Sequence, residues 1–281
     1  MELYDNRIKQ LENLNHLSNL VILDLAFNVI KEVTPGSLDG LVNLKKIFLS
    51  ANKIRKIQGL EKLQSLEVLD MGDNRLRKIE NLEGLTNVRE LHLAKNKLQV
   101  IENIGHLKNL YMLTLQANFI EEITGLDDLV GLEQLYFQQN KIKKIGGISK
   151  LVKLEILDLA VNEVGEIDNL EAQAESLEEL WINNNKISDW KHIEYLTALH
   201  KLDNLYIAGN PVYQRGADFK KKLKEAVPQL NQLEGTPFDR PVYFFKQPDG
   251  VNSIVKKGIN PKAKAILEDI LGKTAANEYE Q

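Results

Sequence analysis

Residues 66–79 read LEVLDMGDNRLRKI, residues 88–101 read VRELHLAKNKLQVI, and residues 110–123 read LYMLTLQANFIEEI. All three follow one pattern, L-x-x-L-x-L-x-x-N-x-I-x-x-I, with Val, Met and Leu standing in at some apolar positions. Working outward in both directions, the closing asparagine recurs at Asn6, Asn28, Asn52, Asn74, Asn96, Asn118, Asn140, Asn162, Asn185 and Asn210, at spacings of 22, 24, 22, 22, 22, 22, 22, 23 and 25. A period this regular over ten copies sets the architecture before any local propensity is considered.

The physics of each letter follows. In L-x-L two leucines flank a residue that points the other way, the period of a short strand with one buried face. The Asn answers the bend after each strand, where backbone groups lose their partners and an amide side chain can both donate and accept. The I-x-x-I, as in Ile54 and Ile57 or Ile142 and Ile145, is expected to return the chain as a helical or 3-10 turn. One unit cannot bury its leucines alone, so copies stack. The expected fold is therefore an α/β leucine-rich-repeat solenoid, with a curved parallel sheet on the concave side and short helices or 3-10 turns on the convex side. Ten strands would span about 45 Å. The one 24-residue unit, with Pro35-Gly36, predicts a bulge in the convex turn.

The repeats are assigned to residues 1–203; with no polar cap before Glu2-Leu3-Tyr4, the expectation is either a chain trimmed ahead of it or a first strand that is an exposed edge. Residues 204–235 read as a C-terminal cap. Phe219, Leu223 and Val227 share one helical face, Lys220, Lys221, Lys222 and Lys224 lie largely off it as a solvated side, and Leu230 and Leu233 close the core. Residues 236–281 form an extension, with a short helix predicted after Asn260-Pro261. Its Arg240-Pro241-Val242-Tyr243-Phe244 has the form of a short basic-x-Val-x-Phe docking peptide for type-1 protein phosphatase, and packing back on the solenoid is the expectation for it instead.

Composition narrows the function. The 281 residues are 43% hydrophobic and 27% charged with a net charge of −4, an ordinary globular balance with no overall positive field to attract nucleic acid. Cysteine is absent, so there is no disulfide framework or thiol nucleophile, and an intracellular home is the simpler expectation. The opening MELYDNRIKQ is too polar for a signal peptide, and no apolar run approaches the roughly 18 to 20 residues of a membrane span. No phosphate loop, nucleophile elbow or zinc-helix motif occurs, and no cofactor is expected. His16 and His106 share a column but lie about 20 Å apart by strand spacing, too far to share a metal. The basic turns Arg75-Leu76-Arg77-Lys78 and Lys141-Ile142-Lys143-Lys144 read as solvated outer surface. An enzyme is not expected.

The inner face remains. The residue between the two leucines points into the concavity, and that column runs Glu2, Asp24, Phe48, Asp70, His92, Thr114, Tyr136, Asp158, Trp181, Tyr206, with Glu179 two residues before Trp181 on the same face. Large rings there would face water with no core to fill, and rigid aromatics ringed by acids have the composition of a protein-binding hot spot. Asp24, Phe48, Asp70, His92, Tyr136, Asp158, Glu179, Trp181 and Tyr206 are the candidate partner-binding residues. Asp158, Glu179, Trp181 and Tyr206 are expected within about 10 Å of one another, and their loss is expected to leave the fold intact.

Five segments also carry a resemblance. IRKIQGL (54–60), LRKIENL (76–82) and LQVIENI (98–104), together with LEELWINNNKISDW (177–190) and the cap beginning LDNLYIAGNP at residue 202, resemble the regulatory subunit 7 family of type-1 protein phosphatase over about residues 1–235. The segment from Trp181 to Trp190 is its most specific part. The resemblance implies a non-catalytic subunit, nuclear and cytoplasmic, that holds the phosphatase catalytic subunit on its concave face, with a third inhibitor or scaffold protein able to join, and that acts notably in mitosis. The family's contact positions would fall on Asp24, Phe48, Asp70, Asp158, Glu179, Trp181 and Tyr206. His92 departs from the aromatic usual there, and Asp70 replaces a glutamate. The same short repeat and a similar cap also serve leucine-rich light chains of dynein motors.

Overall fold

A computed structural model describes residues 1–213 and 216–238. The short helix predicted after Pro261 and the Arg240 to Phe244 segment lie outside these residues. Nine three-residue strands run parallel in chain order: β1 (Ile22–Asp24), β2 (Lys46–Phe48), β3 (Val68–Asp70), β4 (Glu90–His92), β5 (Met112–Thr114), β6 (Gln134–Tyr136), β7 (Ile156–Asp158), β8 (Glu179–Trp181) and β9 (Asn204–Tyr206). The register is unbroken, Leu23 opposite Ile47, Ile47 opposite Leu69, and so to Leu180 opposite Leu205. These central residues are fully buried and belong to one core that extends through the stack.

The expected first strand is reduced to a single bridge, Glu2 to Asp24, while the cap adds two strands to the sheet. β10 (Gln232–Leu233) pairs parallel with β9, and β11 (Thr236–Pro237) pairs antiparallel with β10, so ordered chain continues past residue 235. Helix α1 (Lys191–Tyr195) belongs to the last repeat and α2 (Ala217–Ala226) to the cap, burying Phe219 and Leu223.

The asparagine ladder is present at nine rungs. Asn118 is typical: its Oδ1 accepts from Leu98 N–H of the preceding repeat at 3.0 Å, and its Nδ2 donates to Leu93 and Leu115 carbonyls, both at 3.0 Å. Immediately before each ladder Asn the chain takes a left-handed conformation. Asp5, Phe27, Ala51, Asp73, Lys95, Ala117, Gln139, Val161 and Asn184 have φ of 46 to 57°. Such a residue costs roughly 1–2 kcal/mol, and the fourfold bonding of the Asn beside it offsets that cost. A second ladder explains the alternation of E-N-L and G-L. Asn81, Asn103 and Asn169 are left-handed and donate to the carbonyls of Ile57, Ile79 and Ile145, and Gly59, Gly125 and Gly147 replace them where no donor is used.

The convex return differs in place from the expectation. I-x-x-I is not helical; the i-to-i+3 turns fall on the L-x-x-L-x-x-L that follows, as in Leu63 N–H to Leu60 C=O and Leu66 N–H to Leu63 C=O. The reason is spatial: two leucines three apart need a tight turn to face one core, while the ladder bond from Ile54 N–H to Asn74 holds the I-x-x-I stretch open. The predicted bulge is a turn at Thr34–Ser37, and Asn15 pins it by donating to Gly36 C=O at 2.7 Å.

The lysine run of α2 is not simply a solvated side. Lys224 Nζ donates to Pro228 and Leu230 carbonyls, Lys220 Nζ to Pro237 C=O, both ammonium groups lie over the Phe238 ring, and Lys222 sits 3.7 Å from the Trp190 ring centre. Of the four, only Lys221 is left to an exposed pair, with Glu225 at 3.9 Å. The reason is that the cap's last turn leaves carbonyls without amide partners, and flexible ammonium stems reach them.

Candidate concave interaction face

Every strand presents its first and third residues to the concavity, so the expected column exists, and its members are neighbours in register from Asp24 opposite Phe48 to Trp181 opposite Tyr206. Strand spacing divides it. Asp24, Phe48 and Asp70 lie on β1–β3, whereas Tyr136, Asp158, Trp181, Tyr206 and Glu179 lie on β6–β9, and β2 is about 29 Å from β8.

In the C-terminal group the Trp181 and Tyr206 rings meet at 5.0 Å between centres, tilted by 55°, and Trp181 Nε1 donates to Glu179 Oε2 at 3.1 Å. Both rings are half-buried, each covering part of the other. Tyr136 donates to Gln134 Oε1 at 3.1 Å and is buried.

The aspartates overturn the expectation that this column is freely removable. Asp158 is 1% exposed and its Oδ1 accepts Ala160 N–H at 2.8 Å. Asp24 and Asp70 bind Ala26 N–H and Gly72 N–H in the same way, at 2.9 and 2.8 Å. Each closes a turn where its strand ends. The packing of neighbours about 4.8 Å apart on a concave surface buries what a flat sheet would expose. Burial pushes Asp158 up to about 7, against the pull of the Ala160 amide, and burial also raises Asp70. A sequence signal for this role exists in Asp-x-Ala or Asp-x-Gly: a small residue two positions on lets the carboxylate bend onto its amide, and a Cβ on Gly72 would come within 3.2 Å of Asp70 Oδ1.

His92 also departs from expectation. It is buried in a polar network in the middle of the face, with Nε2 3.4 Å from Glu90 Oε2 and Nδ1 3.3 Å from Thr114 Oγ1, while Tyr111 donates to Glu90 Oε1 at 2.6 Å. Hydrogen bonds from His92 and Tyr111 hold the Glu90 carboxyl below its usual range. Glu90 and Tyr111 escape a reading restricted to the L-x-L column, since Glu90 is a strand's first residue and Tyr111 precedes β5. They line an open groove of about 510 Å³ with Lys46, Glu67, Arg89 and Glu133.

The other histidines stand apart from this face. His106 meets the Leu82 carbonyl, His192 the Ile167 backbone, and His200 pairs with Glu175. Among the described residues no cluster of three or more His, Cys, Asp or Glu is arranged to hold a metal, and no helix is long and apolar enough to cross a membrane.

Comparison with known proteins accords with this geometry. A stretch of 104 residues is 30% identical to dynein axonemal light chain 1 of Chlamydomonas reinhardtii, covering 27% of this chain and 52% of that protein. A stretch of 67 residues is 38% identical to protein phosphatase 1 regulatory subunit SDS22 of Schizosaccharomyces pombe, covering 23% of this chain and 20% of that one. The chain thus spans about half, and about a fifth, of these relatives. Among solved structures, a leucine-rich-repeat protein of Leptospira interrogans superimposes with a TM-score of 0.73 at 26% identity, over 83% of this chain and 59% of the other. The family described as Leucine Rich repeats (2 copies) matches residues 42–84, 86–128 and 130–172, and that described as Leucine rich repeat matches residues 1–54. With the ladder, the sheet and these matches over more than half of its length, the chain belongs to the leucine-rich-repeat family, whose fold it uses as a protein-interaction module.

Proposed function

We propose that this protein is a non-catalytic regulatory subunit that binds the catalytic subunit of type-1 Ser/Thr protein phosphatase on its concave face and governs its assembly, activity or location. The observation that carries the reading is the Trp181–Tyr206 pair, steadied by Glu179: a rigid aromatic anchor with an acidic neighbour that suits a basic patch on a partner. The partial likeness to SDS22 supports the choice of partner. A nuclear and cytoplasmic location goes with it.

The test is calorimetric affinity for the purified catalytic subunit. Trp181→Ala removes a side chain of the kind that buries about 150 to 250 Å² and whose truncation costs about 2 kcal/mol or more, so binding should weaken about thirtyfold. Unchanged affinity with unchanged melting defeats the assignment. Glu179→Gln should slow association and reduce its salt dependence.

A second reading, a leucine-rich light chain of a dynein complex, is favoured by the longer stretch shared with dynein axonemal light chain 1. Failure to bind the phosphatase, together with binding to an axonemal dynein heavy chain, would select it.

A further inference from the structure

The flank that descends from each ladder asparagine is as regular as the concave face, and its charge is not uniform. In the rows of the second to fifth repeats it carries Lys31, then Lys53, Arg55 and Lys56, then Arg75, Arg77 and Lys78, then Lys97, all exposed. The sixth row reverses sign with Glu121 and Glu122 beside Phe119. Between the rows runs a groove of about 460 Å³, lined by Lys31, Lys53, Arg55, Lys56 and Arg75 with Glu32 as its one acid.

Elsewhere cations of the solenoid are paired across repeats, Lys45 with Glu67 at 2.8 Å and Lys108 with Asp128 at 2.9 Å, and on this same flank Lys186 pairs with Glu163 at 2.9 Å. The second basic turn shares in this, since Lys141 and Lys143 help hold Glu163 low. Among the described residues, none of the five groove cations has an ion pair. Five like charges kept close with Glu32 as the one acid among them repel one another, a cost that an anionic occupant would reduce.

We propose that this flank is a second binding surface, separate from the concave face, for an extended acidic protein segment. Length and charge choose the occupant. With Arg7 and Lys9 of the first repeat, exposed at the same positions, the basic run to the Lys97 row is four strand spacings, about 19 Å, which an extended chain covers in about six residues. A longer polyanion such as a nucleic acid would run on into Glu121 and Glu122. The surface does not depend on what the concave face binds.

The experiment uses the full chain and fluorescence anisotropy with three labelled probes: an octapeptide of alternating Glu and Asp, its Gln and Asn counterpart, and a dodecauridylate. The acidic octapeptide should bind and the neutral one should not, with affinity falling as salt rises. Lys53→Glu with Arg55→Glu should weaken binding about tenfold or more, while Lys143→Glu with Lys144→Glu and Trp181→Ala each stay within about twofold. Melting temperatures establish that the variants fold, and Lys53→Gln with Arg55→Gln replaces the reversal if it does not. No binding of the acidic octapeptide, undiminished binding by the charge-altered flank, equal loss in the Lys143 and Lys144 variant, or tighter binding of the dodecauridylate would each overturn the proposal. Loss of octapeptide binding in Trp181→Ala would assign the acidic segment to the concave face instead.

Discussion

Asp158→Asn should make the protein more stable above neutral pH, and the amount follows from where the carboxyl sits. Asp158 is buried between Tyr136 and Trp181 in register, and its folded-state pKa is near 7 against an ordinary 3.8. Between those values the folded chain keeps a proton that the unfolded chain has released. Folding therefore takes up a proton, and stability falls as pH rises through this window, by about 1.4 kcal/mol per pH unit or about 4 kcal/mol in all. Asparagine keeps the oxygen that accepts Ala160 N–H. Its amide adds donors to a buried place, at a cost of roughly 1–2 kcal/mol. The variant should thus gain about 2 to 3 kcal/mol at pH 8 and lose about 1 to 2 kcal/mol at pH 4. Urea unfolding of both proteins across pH 4 to 8 reads the difference. A difference that does not change with pH would refute the reasoning, because it would mean that Asp158 ionises in the folded chain as it does in the unfolded one.

Asn118→Ala leaves Leu98 N–H and the Leu93 and Leu115 carbonyls without their partner inside the stack, and denaturant unfolding should show a loss of about 3 kcal/mol. Asn6→Ala removes bonds only to the Leu3 and Tyr4 carbonyls at an exposed rung and should cost less than about 1 kcal/mol. Gly147→Ala should lower the melting temperature while Gly146→Ala does not: Gly147 has a φ of 64° and a Cβ there would lie 2.0 Å from Ile123 C=O, whereas nothing lies within 4 Å of a Cβ on Gly146.

The fold was legible because its repeat is written in side chains that can do little else: leucines at period two need a shared core, and an Asn at a fixed offset needs two backbones to bridge. The left-handed residue before each Asn was not legible, since Phe27, Lys95, Gln139 and Val161 have no chemistry in common and the conformation is imposed by the ladder. The I-x-x-I turn was misplaced because period three fits a 3-10 turn and an open stretch alike until the hydrogen bond to the next Asn is known. On the concave face, the column was readable from alternation, and the adjacency of Trp181 and Tyr206 followed from it. What alternation does not contain is curvature, which buries Asp70, His92, Tyr136 and Asp158.

The concave column therefore has two jobs, and the residue type decides which one a strand performs. Asp24, Asp70 and Asp158 each use an oxygen on the amide two residues ahead, so they fasten strand ends even where they face the groove. Tyr206 on β9 has no acceptor to bend onto that amide. There Glu234, from the cap, takes over: its Oε1 accepts both Ile207 N–H and Ala208 N–H at 2.7 Å, from a left-handed backbone at φ 52°. At β9 a carboxylate from outside the repeats finishes the turn beside the aromatic. The cap is thus part of the site's geometry as well as the closure of the core. Glu234→Ala should free the turn beneath Tyr206 and loosen its contact with Trp181, while the buried leucines of β9 and β10 keep their packing.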